Sequence, residues 1–388
     1  MGETWEERHR KALDVFVPWV EQIKLLRGAL VIEFGVGRGA AAAAWAKSGA
    51  SVIGLDIVEH EVEEARSRCE NLGLSLDLQV APFEELLGLT ERHKGAVDVF
   101  MLYAVLEHMT PMERVRTLSV ARNVIKKDGI IVVIESPNRN SWFDHHTTST
   151  ALFDQLPDEI AFLAYRDINR EDIRAPFAVA AQTLRDEASV ARARLGRGIG
   201  HHELELVFGE LQPITAHCNW EPSIMMGAQG VHREQLALAK FMQAHLPRVP
   251  VSFSRYYIDV ILKPDGEGLF PYVRPLPMHT ENSCRAVYTK NDFIRVEPGG
   301  NISVDFPVPA TSLVIGLTVP PDASGRGVEL QIDIGGPGQL SFISRRFDPA
   351  QQSWISYEDI YLPIAVSKAK VVAPEGVEVS FLGYRPVR

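Results

Sequence analysis

The chain has 388 residues, 46% of them hydrophobic and 23% charged; at ~100 to 200 residues per domain this length points to two or three folded units. A net charge of −10 excludes bulk electrostatic attraction to nucleic-acid phosphates or anionic membranes, so neither is an expected partner. Cys69, Cys218 and Cys284 are scattered without metal-ligand spacing, and there is neither a basic-then-apolar leader nor a run of ~18 apolar residues; the sequence reads as a cytoplasmic protein with buried structural thiols, no signal peptide and no membrane span.

Residues 4–26 place Ala12, Val15, Phe16, Val20, Ile23 and Leu26 at helical spacing, which predicts an amphipathic lead-in helix interrupted near Pro18. Two short apolar runs follow, 29–32 closed by a glycine cluster and 52–55 closed by Asp56, with the alanine-rich stretch 40–47 between them: a β-α-β unit. The alternation continues with a helix over 58–71, a strand near 76–80, an apolar strand over 97–102, a helix over 111–126 opened by Pro111, and a strand over 130–134. Strands spaced by helices form a parallel sheet, which binds ligands at the carboxyl ends of its strands where strand order reverses. From 136 to about 200 the pattern departs into polar loops and helical segments (154–165, 175–194) that read as an inserted cap. A helix over 203–211, a strand near 214–218, a helix over 234–245 and a strand over 252–262 complete the sheet, and the proline-punctuated residues 263–290 read as a linker. Seven or so alternating runs then follow (302–308, 312–318, 328–334, 340–347, 354–362, 369–372, 377–382) and predict an all-β sandwich or jelly-roll domain over 291–388. The expected architecture is thus a doubly wound, Rossmann-like α/β domain over 1–262, with a helical cap insertion, followed by a linker and the β domain.

The glycine cluster carries the most specific signal. Glu33, Gly35, Gly37 and Gly39 lie between the first strand and the alanine-rich helix, where glycines permit a tight turn and close approach of a ligand to backbone. A nicotinamide-binding turn has the spacing Gly-x-Gly-x-x-Gly and cradles a pyrophosphate on a helix N-terminus. Here the third glycine comes one residue early and an acid precedes the set; that acid repels a pyrophosphate but suits a ligand bearing an ammonium and a sulfonium. Asp56, ending the second strand, can accept hydrogen bonds from both hydroxyls of a ribose.

With the segment 98–109, DVFMLYAVLEHM, these residues resemble the class I S-adenosylmethionine-dependent methyltransferases, particularly the branch of the ubiquinone-biosynthesis O-methyltransferases, over about residues 25–262. The resemblance implies a seven-stranded methyltransferase sheet with S-adenosyl-L-methionine as cofactor. It assigns Glu33, Gly35, Gly37 and Gly39 to the methionine part of the cofactor, Asp56 to the ribose, Phe83 and Glu84 to the adenine, and Leu102 and Tyr103 to the methionine moiety. Glu107-His108 matches a segment that contributes to a divalent-metal site in the ubiquinone enzymes, a site that also uses a carboxylate three residues earlier; here that position is Ala104. A metal ion is therefore left open.

The methyl carbon of a sulfonium is already electrophilic, so the protein must align an acceptor, exclude water and, for a hydroxyl, remove a proton. Asp144-His145-His146 and His201-His202-Glu203 lie on segments expected to meet above the sheet, as a histidine base with its carboxylate or as metal ligands. The cap also carries eight arginines (Arg139, Arg166, Arg170, Arg174, Arg185, Arg192, Arg194, Arg197) that suit an acidic acceptor or a solvated helix face. The expected function is O-methylation of a small-molecule or glycan hydroxyl, in natural-product or polysaccharide biosynthesis. The alternatives are N-, C- or carboxyl-methylation of a small metabolite, a nicotinamide-dependent oxidoreductase, or a carbohydrate-binding or assembly protein that oligomerises through its β domain.

Overall fold

The computed structural model describes residues 3–183, 194–227, 233–266, 272–278, 283–289, 293–318, 329–335, 339–343 and 355–387. Backbone contacts divide the chain into two compact units, 1–219 with 247–269, and 220–246 with 270–388.

The first unit is built on a seven-stranded sheet of β1 (Leu30–Phe34), β2 (Ser51–Asp56), β3 (Asp77–Val80), β4 (Val97–Tyr103), β5 (Ile125–Pro137), β6 (Thr215–Cys218) and β7 (Tyr257–Leu262), in the order 3-2-1-4-5-7-6. Strands β1 to β5 pair in parallel, and β7 is antiparallel to both β5 and β6. A parallel strand covered on both faces reads as a continuous apolar run, which is why β4 (VDVFMLY) is buried along its whole length and Ile130 to Ile134 of β5 are fully buried. Order reverses between β1 and β4, so the carboxyl ends of these two strands open the crevice where a doubly wound sheet takes its ligand.

Helix α1 (Trp5–Lys11) starts from a capping box between Thr4 and Glu7, and α2 (Ala40–Lys47), α3 (Glu59–Asn71) and α4 (Phe83–Glu91) follow β1, β2 and β3. The sequence reading missed α4. Helix α5 (Pro111–Val124) opens with a second capping box, Thr110 with Glu113, and with Pro111 in its first turn. The interruption expected near Pro18 occurs a turn earlier, as a π-helical turn at Ala12–Phe16; Pro18 cannot donate an amide, and its ring presses on the carbonyl four residues before it. In the cap, α6 (Glu171–Thr183) replaces the helix expected over 175–194, of which 184–193, with Arg185 and Arg192, lie outside the described residues; the helix expected over 154–165 is broken into short helical pieces at Phe153–Gln155, Asp158–Ala161 and Phe162–Asp167. Helix α7 (His201–Phe208) precedes β6. Among the described residues no helix is long and apolar enough to cross a membrane.

In the second unit, α8 (Arg233–His245) groups with an antiparallel sheet of β8 (Arg274–Pro275), β9 (Cys284–Tyr288), β10 (Ile294–Thr318), β11 (Glu329–Asp333), β12 (Gln339–Ile343), β13 (Ile355–Ala373) and β14 (Val377–Pro386). The path runs 8-14-10-13-11-12, with β9 on β10. The two ends of β10 both pair with Glu378 and Val379, so they flank β14 on opposite edges and the sheet rolls around one apolar core that includes Ile294, Ile315, Val371 and Val379. The runs 302–308 and 312–318, expected as separate strands, are one bent strand, as are 354–362 and 369–372. Cys69 and Cys218 are buried and Cys284 is exposed, against the expectation that all three are buried; all three are free thiols.

Candidate active site

A cavity of about 670 Å³ lies at the carboxyl ends of β1, β2 and β4. Its floor is the β1–α2 loop. The amides of Gly35 and Val36 donate to the Leu55 carbonyl at 2.8 and 3.0 Å, which fastens the loop to the end of β2. Asp56 completes the fastening: one carboxylate oxygen accepts from the Gly37 amide at 2.7 Å and the other from the Val58 amide at 3.0 Å. Gly35 has φ +81°, and a Cβ there would stand 2.1 Å from Val105 Cγ2; the loop can lie against the segment after β4 only because this side chain is missing.

Glu33 is buried with its Oε2 accepting from the Trp45 indole at 2.9 Å, and burial pushes its pKa up to about 8 against the opposing pull of that bond and of Arg8. Phe83 meets Phe34 edge to face at 6.1 Å between ring centres. Tyr103 carries the Arg8 guanidinium over its ring at 5.0 Å, and burial raises the pKa of its phenol.

Of the residues expected to hold a cofactor, Glu33, Gly35, Gly37, Asp56, Phe83 and Tyr103 line this cavity. The other three do not. Gly39 sits at the start of α2, where its Cβ would meet that of Ala65 at 2.8 Å; Leu102 is buried in the sheet; Glu84 is exposed and paired with Arg116. No sequence pattern marks α1 and the residues before it as a wall of this cavity. Glu3, Thr4, Trp5 and Arg8 line the cavity, and the Trp5 indole donates to the Arg38 carbonyl at 2.8 Å. The Thr4–Glu7 capping box marks where this helix starts but not where it packs.

None of Asp144, His145, His146, His201, His202 and Glu203 lines the cavity; His108 and Arg194 do. Nor do the two histidine pairs form one cluster. His146 packs against Glu107 and His108, with Nε2 3.8 Å from Glu107 Oε1 and ring centres 5.8 Å from His108. Asp144 organises the turn, accepting from the amides of His146, Thr147 and Thr148 and from the Thr148 hydroxyl. The His145 ring packs at a tilt against Tyr256, with ring centres 4.0 Å apart. His201 packs on Phe253, His202 is 87% exposed beside Glu205, and Glu203 accepts from Arg114 at 2.9 Å. Burial pushes the His146 pKa down to about 4, with His108 adding to the effect, and pushes that of Glu107 up to about 8.

Arg114 is the residue the sequence reading overlooked. It is wholly buried and donates to the carbonyls of Leu106, Met109, Arg197 and Gly198 as well as to Glu203, tying the turn after β4 to the returning limb of the cap. A lone arginine on a helix carries no sequence signal of such a role. Arg194, on the same limb, pairs with Glu113 at 2.6 Å and donates to the His108 carbonyl at 2.7 Å. Arg170 pairs with Asp172 and donates to the His146 carbonyl.

Residues 32–133 match a family described as "Methyltransferase domain". The ubiquinone biosynthesis O-methyltransferase of Actinobacillus pleuropneumoniae serotype 5b (strain L20) is 30% identical over 107 residues, which are 27% of this chain and 45% of that protein. The enzyme of the same name from Thiobacillus denitrificans (strain ATCC 25259 / T1) is 32% identical over 123 residues, 32% of this chain and 50% of that protein. The chain therefore spans about half the length of the curated relatives it matches. A solved structure of magnesium protoporphyrin IX methyltransferase from Synechocystis PCC 6803 with bound SAM is 24% identical, with a TM-score of 0.29, covering 34% of this chain and 61% of that one. Residues 32–133, within the first unit, are thus similar to a methyltransferase domain.

Proposed function

We propose that the protein transfers the methyl group of S-adenosylmethionine to a hydroxyl of a small-molecule acceptor. The observation that carries this reading is one cavity, floored by the glycine loop and Asp56, with the buried carboxylate of Glu33 in its wall and the His108 imidazole in another. In the reaction the acceptor oxygen attacks the methyl carbon in line with the carbon–sulfur bond. When bound, S-adenosylmethionine would supply an electrophilic methyl group: the C–O bond would form as the C–S bond breaks, the electron pair would stay on sulfur, and the hydroxyl proton would pass to a base or to water. Asp56, each of whose oxygens has a lone pair left over, accepts from the ribose hydroxyls; Phe83 flanks the adenine; Glu33 faces the cationic methionine end. Activation of the hydroxyl is assigned to His108, which lines the cavity, with Glu107 and His146 packed against it.

Asp56→Ala is expected to weaken cofactor binding by ~1 to 3 kcal/mol, through loss of a charged hydrogen-bond acceptor. Calorimetry with S-adenosylmethionine and with NAD on both proteins checks this; an unchanged affinity in folded Asp56→Ala, or binding of NAD alone, would overturn the reading.

Glu33 adds a pH signature. With its pKa at about 8 in the free protein, this carboxyl is protonated at pH 7, and a cationic ligand favours its ionised form, so binding expels a proton. This contribution makes affinity rise with pH up to about 8 and level off above it. The α-amino group of the cofactor titrates near ~7.7 to 8 and works in the opposite sense, so the comparison with Glu33→Gln isolates the effect. Calorimetry in buffers of different ionisation enthalpy is expected to count about one more proton released at pH 7 by the wild type than by Glu33→Gln; equal counts would remove Glu33 from the charge pairing.

A further inference from the structure

We propose that Glu107, His108 and His146 together hold a divalent cation of the zinc type at the edge of the methyl-transfer cavity. The ligand atoms these three residues offer lie within 4.8 Å of one another. Glu107 is 0% exposed, and among the described residues neither of its carboxylate oxygens has a hydrogen-bond partner, a costly state for a buried acid unless a ligand fills the gap.

The hydrogen bonds behind the two histidines fix which nitrogen faces that gap. The Thr147 hydroxyl donates its proton to the Gly196 carbonyl at 2.8 Å, so in its 2.9 Å contact with His146 Nδ1 it can only accept. His146 therefore carries its proton on Nδ1 and turns a bare Nε2 toward Glu107. His108 Nδ1 lies 3.3 Å from the Arg194 carbonyl, which likewise can only accept, and this leaves the Nε2 of His108 bare. A metal-bound imidazole has this same arrangement, with its second nitrogen donating to an oxygen behind it. The 3.8 Å between His146 Nε2 and Glu107 Oε1 is too long for a direct hydrogen bond, yet close to the ~3.3 Å edge of a tetrahedron of ligands ~2.0 to 2.1 Å from zinc.

The donor set decides the class of ion. Two imidazoles and one carboxylate suit zinc or a neighbouring transition ion better than magnesium, which prefers an all-oxygen shell. Position 104, from which the ubiquinone-type site would draw a carboxylate, is an alanine here, and His146 supplies the third ligand from the cap instead. Three protein ligands leave a position open, and His108 also walls the cavity, so an acceptor oxygen at that end can complete the shell. This last step rests on the proposed methyl transfer; the metal site itself does not.

The test is metal binding by the full chain, stripped with a chelator and titrated with zinc and with cobalt(II), with S-adenosylhomocysteine binding measured on the same samples. One zinc per chain is expected, with an intense visible cobalt(II) band, and both should be lost in His146→Ala and Glu107→Gln. Thr147→Val keeps every ligand but releases the His146 tautomer, and it is expected to weaken zinc ~10- to 100-fold. Gly196→Ala is expected to act in the same direction: φ there is +114°, and a Cβ would lie 2.7 Å from Thr147 Oγ1 and 2.9 Å from His146 Nδ1. All four variants should retain S-adenosylhomocysteine affinity, which also reports that they fold. No zinc, or zinc bound equally by wild type, His146→Ala, Glu107→Gln and Thr147→Val, overturns the site while leaving the methyltransferase reading intact. Zinc bound as expected without S-adenosylhomocysteine binding upholds the site and overturns that reading.

Discussion

Gly35→Ala is expected to lose ~2 to 5 kcal/mol of folding stability and, with it, measurable cofactor binding. A residue with a side chain pays ~1 to 2 kcal/mol for the left-handed backbone, and overpacking adds ~1 to 3 kcal/mol because the new Cβ would sit 2.1 and 2.7 Å from Val105 Cγ2 and Cβ. Neither Val105 nor the loop can retreat cheaply, since the Gly35 and Val36 amides are bonded to β2 and Val105 lies two residues beyond the end of the buried strand β4. Gly37→Ala serves as the contrast. With φ at +50° it carries the same ~1 to 2 kcal/mol backbone cost, but its nearest neighbour would be the end of the Glu61 side chain at 3.3 Å, so no overpacking is added and the larger loss should fall on the cofactor, whose space the methyl group enters. Denaturant unfolding and calorimetry on the two variants separate these outcomes; a Gly35→Ala protein as stable as wild type would show that the loop does not depend on this close approach.

Much of the first unit can be read from the sequence because parallel strands buried on both faces leave unbroken apolar runs: β1, β2, β4 and β5 stand out in this way, and Gly35 and Asp56 mark their carboxyl ends. Helix α4 was hidden because its opening, Phe83-Glu84-Glu85, matches the stretch assigned to the adenine and reads as a loop. In the β unit, Pro307 and Pro309 imitate a turn within β10, and Pro363 does so within β13. The chain absorbs the first interruption as register shifts between Asp305 and Ser312 rather than by breaking the strand. The site residues divide along the same physical line. Local chemistry was visible: a glycine for a tight turn, an acid after a strand. Long-range pairing was not. Asp144-His145-His146 and His201-His202-Glu203 look equivalent as strings, yet Asp144 is engaged by the amides of its own turn and Glu203 by Arg114 from α5, while His146 reaches Glu107 and His108. No periodicity encodes those partners, because they depend on where the cap returns to the sheet.

That return is held by Arg114, and its replacement is expected to be the most damaging change outside the cavity wall. Arg114→Met keeps much of the volume and removes the guanidinium, leaving the carbonyls of Leu106, Met109, Arg197 and Gly198 and the Glu203 carboxylate without the donors they now share. Removing one partner of a buried ion pair costs ~3 to 5 kcal/mol, chiefly because the remaining charge is stranded. Arg114→Lys should recover little, since one ammonium cannot reproduce a planar fork that reaches four carbonyls and a carboxylate. Adding Glu203→Gln to Arg114→Met removes the stranded charge, so the double variant should be more stable than the sum of the two single losses predicts. The consequence reaches the site. Arg114 holds the Leu106 and Met109 carbonyls on either side of Glu107 and His108, and the Arg197 amide donates to the Glu107 carbonyl at 2.8 Å, so a slackened cap limb moves these groups against His146. At temperatures where Arg114→Met remains folded, turnover is expected to fall more than cofactor affinity, because Asp56 and the glycine loop are anchored to β2 and not to the cap. Urea denaturation of the two single variants and the double variant, with cofactor titration and turnover on each, checks both halves of the argument. A loss below ~1 kcal/mol in Arg114→Met would mean that water replaces the guanidinium and that the cap is held by other contacts.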